Sequence, residues 1–180
     1  MTDYLKGRDD KALERLIKRY EAEEELNPQQ QETLEMAQRI LAERSAAKIA
    51  THFDIPSAIN FLSSVATEGR LCSYKELALA CINNRNADWS AYYRKISGQG
   101  GLMQSIILHC AANSLPHFSS LVVRQNEVRA GPNVPPNREG EAEYGFKRGM
   151  VEEGLAEQTV DTDTMIVEHR QKCFAWAKAL

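Results

Sequence analysis

Apolar residues recur at helical spacing from the start of the chain. Leu13, Leu16, Ile17 and Tyr20 share one helical face, and Glu14, Arg15, Lys18 and Arg19 fill the other positions. The acidic run Glu23-Glu24-Glu25 leads into Leu26-Asn27-Pro28. Asn27 is a good N-cap and Pro28 suits a first helical turn, which predicts a second helix from there to about Ala50. Its apolar side carries Leu34, Ile40 and Leu41. Residues 1–53 are therefore predicted to form a helical hairpin. It has few apolar positions, so it is expected to pack on the rest of the chain or on a second copy. Its charged positions read as a solvated face.

The next stretch is more apolar. Asp54-Ile55-Pro56-Ser57 starts a core helix over 54–68, with Ala58, Ile59, Phe61, Leu62 and Val65 inside and Gly69 at its C-terminal end. Ser73-Tyr74-Lys75-Glu76 is a capping box, in which a Ser and a Glu three positions on satisfy each other's free amides. It opens a helix from Tyr74 to about Ile82. Asp88 caps another, Trp89 to Ile96, which the glycine-rich run 97–101 ends. A third spans Leu102 to about Ala112. The character then changes. Ser119 to Arg124 favours a strand, Gln125-Asn126-Glu127 a turn, and Val128-Arg129-Ala130 a returning strand stopped by Gly131-Pro132. Residues 131–140 read as a loop, and 141–153 as a polar helix or loop weakened by Gly145 and Gly149. Thr162-Asp163 caps a last helix whose Met165, Ile166, His169, Cys173, Phe174 and Trp176 form a docking face.

The predicted class is mainly α with a small β-hairpin (α+β). Its parts are a helical appendage over 1–53, a core over 54–140 and a C-terminal helical segment over 141–180 that docks on the core. With 180 residues, 43% hydrophobic and 26% charged, the chain can bury a real core. No apolar run approaches the roughly 20 residues that span a bilayer, and Met1–Asp10 lacks the apolar region of a secretory signal. A cytoplasmic location is expected, without a membrane partner. The four cysteines, Cys72, Cys81, Cys110 and Cys173, match no zinc spacing and read as buried or half-buried free thiols. No metal or cofactor is expected.

Helices followed by a β-hairpin is the order of a winged helix-turn-helix, in which one helix enters the major groove and the wing touches backbone. Local charge agrees with that order. Over residues 70–138 eight basic side chains face three acidic ones, an excess of +5 inside a chain whose net charge is −3.

The same region carries a resemblance. Gly69-Arg70-Leu71-Cys72-Ser73-Tyr74-Lys75-Glu76-Leu77-Ala78 resembles the "GR-x-x-SY-x-x-LA" stretch of O6-alkylguanine-DNA alkyltransferases and the non-catalytic alkyltransferase-like proteins. Gly100-Gly101-Leu102-Met103 is similar to the Gly-Gly-Ala-Met segment of their recognition helix. Leu121-Val122-Val123-Arg124, followed by Gly131, stands where their "HRVV…G" strand and wing loop lie. The resemblance covers about residues 69–131 and implies a DNA-binding winged helix. Transferase members carry Pro-Cys-His-Arg just before the Val-Val, whereas Ser119 and Ser120 stand here at the cysteine and histidine positions. A neutral serine does not replace a thiolate as alkyl acceptor unless a base activates it, so dealkylation is not expected. Ser97 occupies the family's intercalating arginine position, with Arg94 and Lys95 one turn earlier, which weighs against base flipping.

The expected contacts to double-stranded DNA are Tyr74, Lys75, Arg94, Lys95, Gln104, Arg124 and Arg129. Trp89, Tyr92 and Tyr93 are spaced for base stacking, but core packing is the stronger reading of such a stripe. No catalytic constellation emerges. His109 and Cys110 point about 100° apart on a helix. His117 near Ser119 and Ser120 lacks a nucleophile elbow, and the glycine-rich run is no P-loop. His52 and His169 lack a metal-binding repeat. A non-enzymatic DNA-binding protein is the first reading. The second is a protein-interaction module, a regulator or inhibitor from a bacterial or mobile-element setting, working through the N-terminal hairpin and the aromatic C-terminal helix, as a homodimer or with another protein. An enzyme using Cys110 or the Ser119/Ser120 region ranks last.

Overall fold

A computed structural model describes residues 2–97, 100–128, 131, 141–157, 159 and 161–179. The protein is mainly helical with a small two-stranded sheet. Met1–Lys48 forms one compact unit and Ile49–Leu180 another.

The first unit contains α1 (Thr2–Lys6), α2 (Asp10–Glu21) and most of α3 (Pro28–Ala50). Capping sets the helix starts. The Asp9 carboxylate accepts from the Ala12 amide at 2.7 Å. Asn27 and Gln30 cap each other, amide to side-chain oxygen, at 2.9 Å in both directions, with Pro28 at the first helical position. Leu5, Leu13, Ala37 and Ile40 are buried together. Arg44 joins the elements, donating to the carbonyls of Lys6 at 2.6 Å and Arg8 at 2.8 Å and to Asp10 at 3.0 Å. Leu5 belongs to a helix that no periodicity in the sequence announced, because five residues are too few to show one.

The second unit is built on α4 (Ile55–Thr67). Asp54 caps it through the Ser57 amide at 3.0 Å. Its C-terminal end is a Schellman motif: Gly69, at φ +66°, donates to the Ala66 carbonyl at 3.0 Å, and Arg70 donates to Val65 at 3.3 Å. Then come β1 (Cys72–Ser73), α5 (Tyr74–Cys81), a 3-10 turn over Trp89–Tyr92, α6 (Tyr93–Ser97) and α7 (Leu102–Ala112). A second 3-10 turn over Phe118–Leu121 leads into β2 (Val122–Val123). The chain closes with α8 (Glu141–Glu152) and α9 (Thr162–Lys178). Asp161 caps α9 through the Thr164 amide at 2.9 Å, so the cap lies one residue before the predicted Thr162-Asp163.

The β element is not the predicted hairpin. Val122 pairs with Cys72 and Val123 with Ser73, in parallel. Ser119 and Ser120, expected in a strand, lie in the 3-10 turn, held by the bond from the Ser120 amide to the His117 carbonyl at 3.0 Å. The physical reason is burial. Val122 and Val123 are buried, and a strand covered on both faces pairs best with another buried edge. The segment after them is a polar turn in which Glu127 donates to the Arg124 carbonyl at 2.9 Å and accepts from the Arg124 amide at 3.1 Å. Val128 lies in that turn, and the rest of the expected returning strand, Arg129 and Ala130, lies outside the described residues.

The main core gathers Leu62, Val65, Leu77, Ile96, Ile106, Phe118, Leu121 and Cys173. Each such aliphatic or aromatic side chain contributes about 1.5–3 kcal/mol when withdrawn from water. A satellite core of Ile107, Phe146, Met150, Met165 and Ile166 joins α7, α8 and α9. A Cβ on Gly149 would stand 2.8 Å from Ile107 Cδ1. The glycine that the sequence marked as a helix weakness therefore sits at a close approach between α8 and α7.

Candidate nucleic-acid interface

The Ser73–Glu76 capping box forms, as its sequence requires. The Glu76 amide donates to Ser73 Oγ at 3.2 Å and the Ser73 amide to Glu76 Oε2 at 2.8 Å. Arg70 adds a bond to Glu76 Oε1 at 3.0 Å. Burial opposes ionisation of Glu76, but the Ser73 donors and Arg70 outweigh it and hold the carboxyl below its usual range. This fixes the first turn of α5, with Tyr74 turned inward and Lys75 outward.

Tyr74 packs edge-to-face on Tyr93 at 5.9 Å, and Tyr93 meets Trp89 in the same way at 6.4 Å. Tyr74 is buried, Trp89 is half-buried, and Tyr93 remains 42% exposed. Asp88, which caps the 3-10 turn through Ser90, lies within electrostatic reach of Lys75. Arg94 follows Tyr93 and is exposed. The Lys95 ammonium donates to His52 Nε2 at 2.6 Å and stands 5.3 Å from the centroid of the Tyr92 ring. This bond requires the neutral His52 tautomer with its proton on Nδ1. The result is a partly exposed aromatic group, with the exposed Lys75 and Arg94 next in sequence to Tyr74 and Tyr93, and Lys95 on the neighbouring Tyr92.

The other expected contacts lie elsewhere. Gln104 is half-buried on α7, and its amide is spent internally: Oε1 accepts from Gly100 at 2.7 Å and Nε2 donates to Glu153 of α8. Arg124 is half-buried at the Arg124–Glu127 turn. Arg129 lies outside the described residues. The predicted recognition helix is a core element. α4, α6, α8 and the Phe118–Leu121 turn all pack on α7, and no residue from Leu102 to Cys110 is exposed. The C-terminal aromatics are also committed inward, Phe174 and Trp176 against the main core, with Trp176 edge-on to Phe118 at 5.1 Å.

The position aligned with the transferase cysteine is chemically quiet. Ser119 is 1% exposed, and its hydroxyl has no hydrogen-bond partner, and so no activating base, among the described residues. Ser120 Oγ lies 3.7 Å from Cys173 Sγ, and its carbonyl accepts from the buried Arg170 Nε at 3.0 Å. Burial pushes the Cys110 thiol up to about 11 and those of Cys72, Cys81 and Cys173 up to about 12, so all four stay protonated near neutrality. His117 and His169 meet at 5.3 Å, with both Nδ1 atoms buried and unpartnered among the described residues. Desolvation lowers both, His169 to about 4 with a further push from His117 and Lys172. The sequence held no signal for this pair, since 52 positions separate its members. No group of three or more possible metal ligands occurs among the described residues, and no described helix is long and apolar enough to cross a membrane.

Compared with known proteins, the chain matches no protein-family profile, no curated sequence and no solved structure.

Proposed function

We propose that this is a non-enzymatic nucleic-acid-binding protein that works through the face formed by α5, the Trp89–Tyr92 turn and α6. One observation carries the reading: the exposed Tyr93 packs on Tyr74 and Trp89, and the exposed Lys75 and Arg94 are next in sequence to two of these rings, with Lys95 on the neighbouring Tyr92. Cations bind phosphates whatever the sequence, and an aromatic ring adds contact with bases. The pairing of β1 with β2 sets Cys72-Ser73 beside Val122-Val123, short pieces of two segments on which the alkyltransferase-like resemblance rests. The groove-reading mode of that family gains no support, because α7 is enclosed. The rival reading, a protein-interaction module, keeps only the N-terminal helices as a working surface, since Phe174 and Trp176 pack inward.

Fluorescence anisotropy with labelled oligonucleotides at low and moderate salt tests the reading. Binding that weakens steeply with salt is expected. Replacing Lys75, Arg94 and Lys95 together by Gln should flatten the log–log salt slope by roughly two to three units, about one for each phosphate no longer neutralised. Absence of binding at low salt overturns the proposal.

A further inference from the structure

We infer that the ligand of this face is an unpaired nucleic-acid strand, held by stacking of a base on Tyr93. The inference rests on the nucleic-acid reading and narrows it to one class of ligand.

Two devices for reading a duplex are missing from the described residues. A groove-reading helix must present a row of exposed side chains, and α7 presents none between Leu102 and Cys110. A wing must project as a hairpin, and Val122–Val123 is instead buried against Cys72–Ser73. What the surface does offer is an exposed aromatic ring, with the exposed Lys75 and Arg94 next in sequence to the packed Tyr74 and Tyr93. Tyr93 is the most exposed member of the Tyr74–Tyr93–Trp89 cluster, and contacts with two rings restrict its orientation. A side chain held in place loses little freedom on binding. In a duplex the π-faces of the bases are covered by their neighbours, whereas in a single strand they are open, and every base has one. The exposed Lys75 and Arg94, on the elements that carry Tyr74 and Tyr93, supply charge for the phosphates. Lys95 is directed toward Tyr92 and His52 and adds charge from one side.

The test compares a 5′-labelled oligothymidylate of about 12 nucleotides with a mixed-sequence duplex of the same length at low salt, using the full chain. The wild type should bind the single strand at least tenfold more tightly. Tyr93→Leu keeps bulk but removes the π-face, and should weaken single-strand binding roughly tenfold, the effect of losing about one stacked base. Its duplex affinity should stay within twofold, and Tyr93→Phe should bind like the wild type. Equal or tighter binding of the duplex overturns the inference while leaving the nucleic-acid reading standing. So does a Tyr93→Leu variant that loses affinity equally for both ligands. If neither ligand binds, both proposals fall. The wild-type comparison decides even if Tyr93→Leu does not fold.

Discussion

Ser73 and Glu76 satisfy each other's backbone amides at the start of α5, at 3.2 Å and 2.8 Å. Ser73 belongs at the same time to β1, paired with Val123. One residue thus ends the strand and caps the helix that carries Tyr74 and Lys75. Ser73→Ala removes a cap hydroxyl and should cost about 1–2 kcal/mol of stability in urea denaturation. Glu76 titrates with its carboxyl held below the usual range. Its contribution is therefore present above the ordinary glutamate value and is lost as pH falls through the folded-state value. The stability gap between wild type and Glu76→Gln should be widest near neutrality and close in acid. A gap independent of pH would remove this role for the carboxylate.

The histidine pair predicts acid sensitivity of the second unit. Burial lowers both groups, His169 to about 4. A histidine that is neutral in the fold but titrates normally when unfolded stabilises the fold fully above the unfolded value. That contribution falls as pH drops from about 6.5 toward about 4. Urea midpoints followed across this window should decline, and the decline should be shallower in His169→Leu. Parallel curves for the two proteins would show that the pair does not report on folding.

Ser119 predicts a gain on substitution. Its hydroxyl is buried and without a partner among the described residues. Ser119→Ala removes that desolvated group with little change in packing, and should leave stability unchanged or raise it by about 1 kcal/mol. A destabilisation well beyond 1 kcal/mol would mean that the hydroxyl has a partner in solution.

Gln104 separates structure from binding. Its amide joins Gly100 to Glu153. Gln104→Ala should lower the thermal midpoint, at a cost of about 1 kcal/mol, and leave oligonucleotide affinity within twofold. A large drop in affinity in a variant of normal stability would return α7 to the interface.

What was legible in the sequence was local. The starts of α3 to α5 lie at Asn27, Asp54 and Ser73, each capping an amide three positions on, so all the information lies within one turn. The Schellman end at Gly69 is of the same kind. The exposure of Lys75, Arg94 and Lys95 was also legible, because it is the ordinary state of such residues. Gln104 was misplaced because periodicity does not reveal that a polar residue on a core helix meets Glu153, 49 positions away.

The amino-acid sequence by itself determined the longer helices, the caps of α3 to α5 and the mainly α class. The tertiary structure decided the rest. Val122 had to choose between a partner six positions on and one about fifty positions back, and burial of both strand faces favoured Cys72. α7 is apolar enough to be either a docking helix or a core helix, and the packing of α8 around Gly149 made it core. Tyr74, Trp89 and Tyr93 became one cluster only when α5 and α6 met. The physical reason is the same each time: hydrogen bonds within a turn are specified by neighbours, whereas burial depends on every element that shares the core.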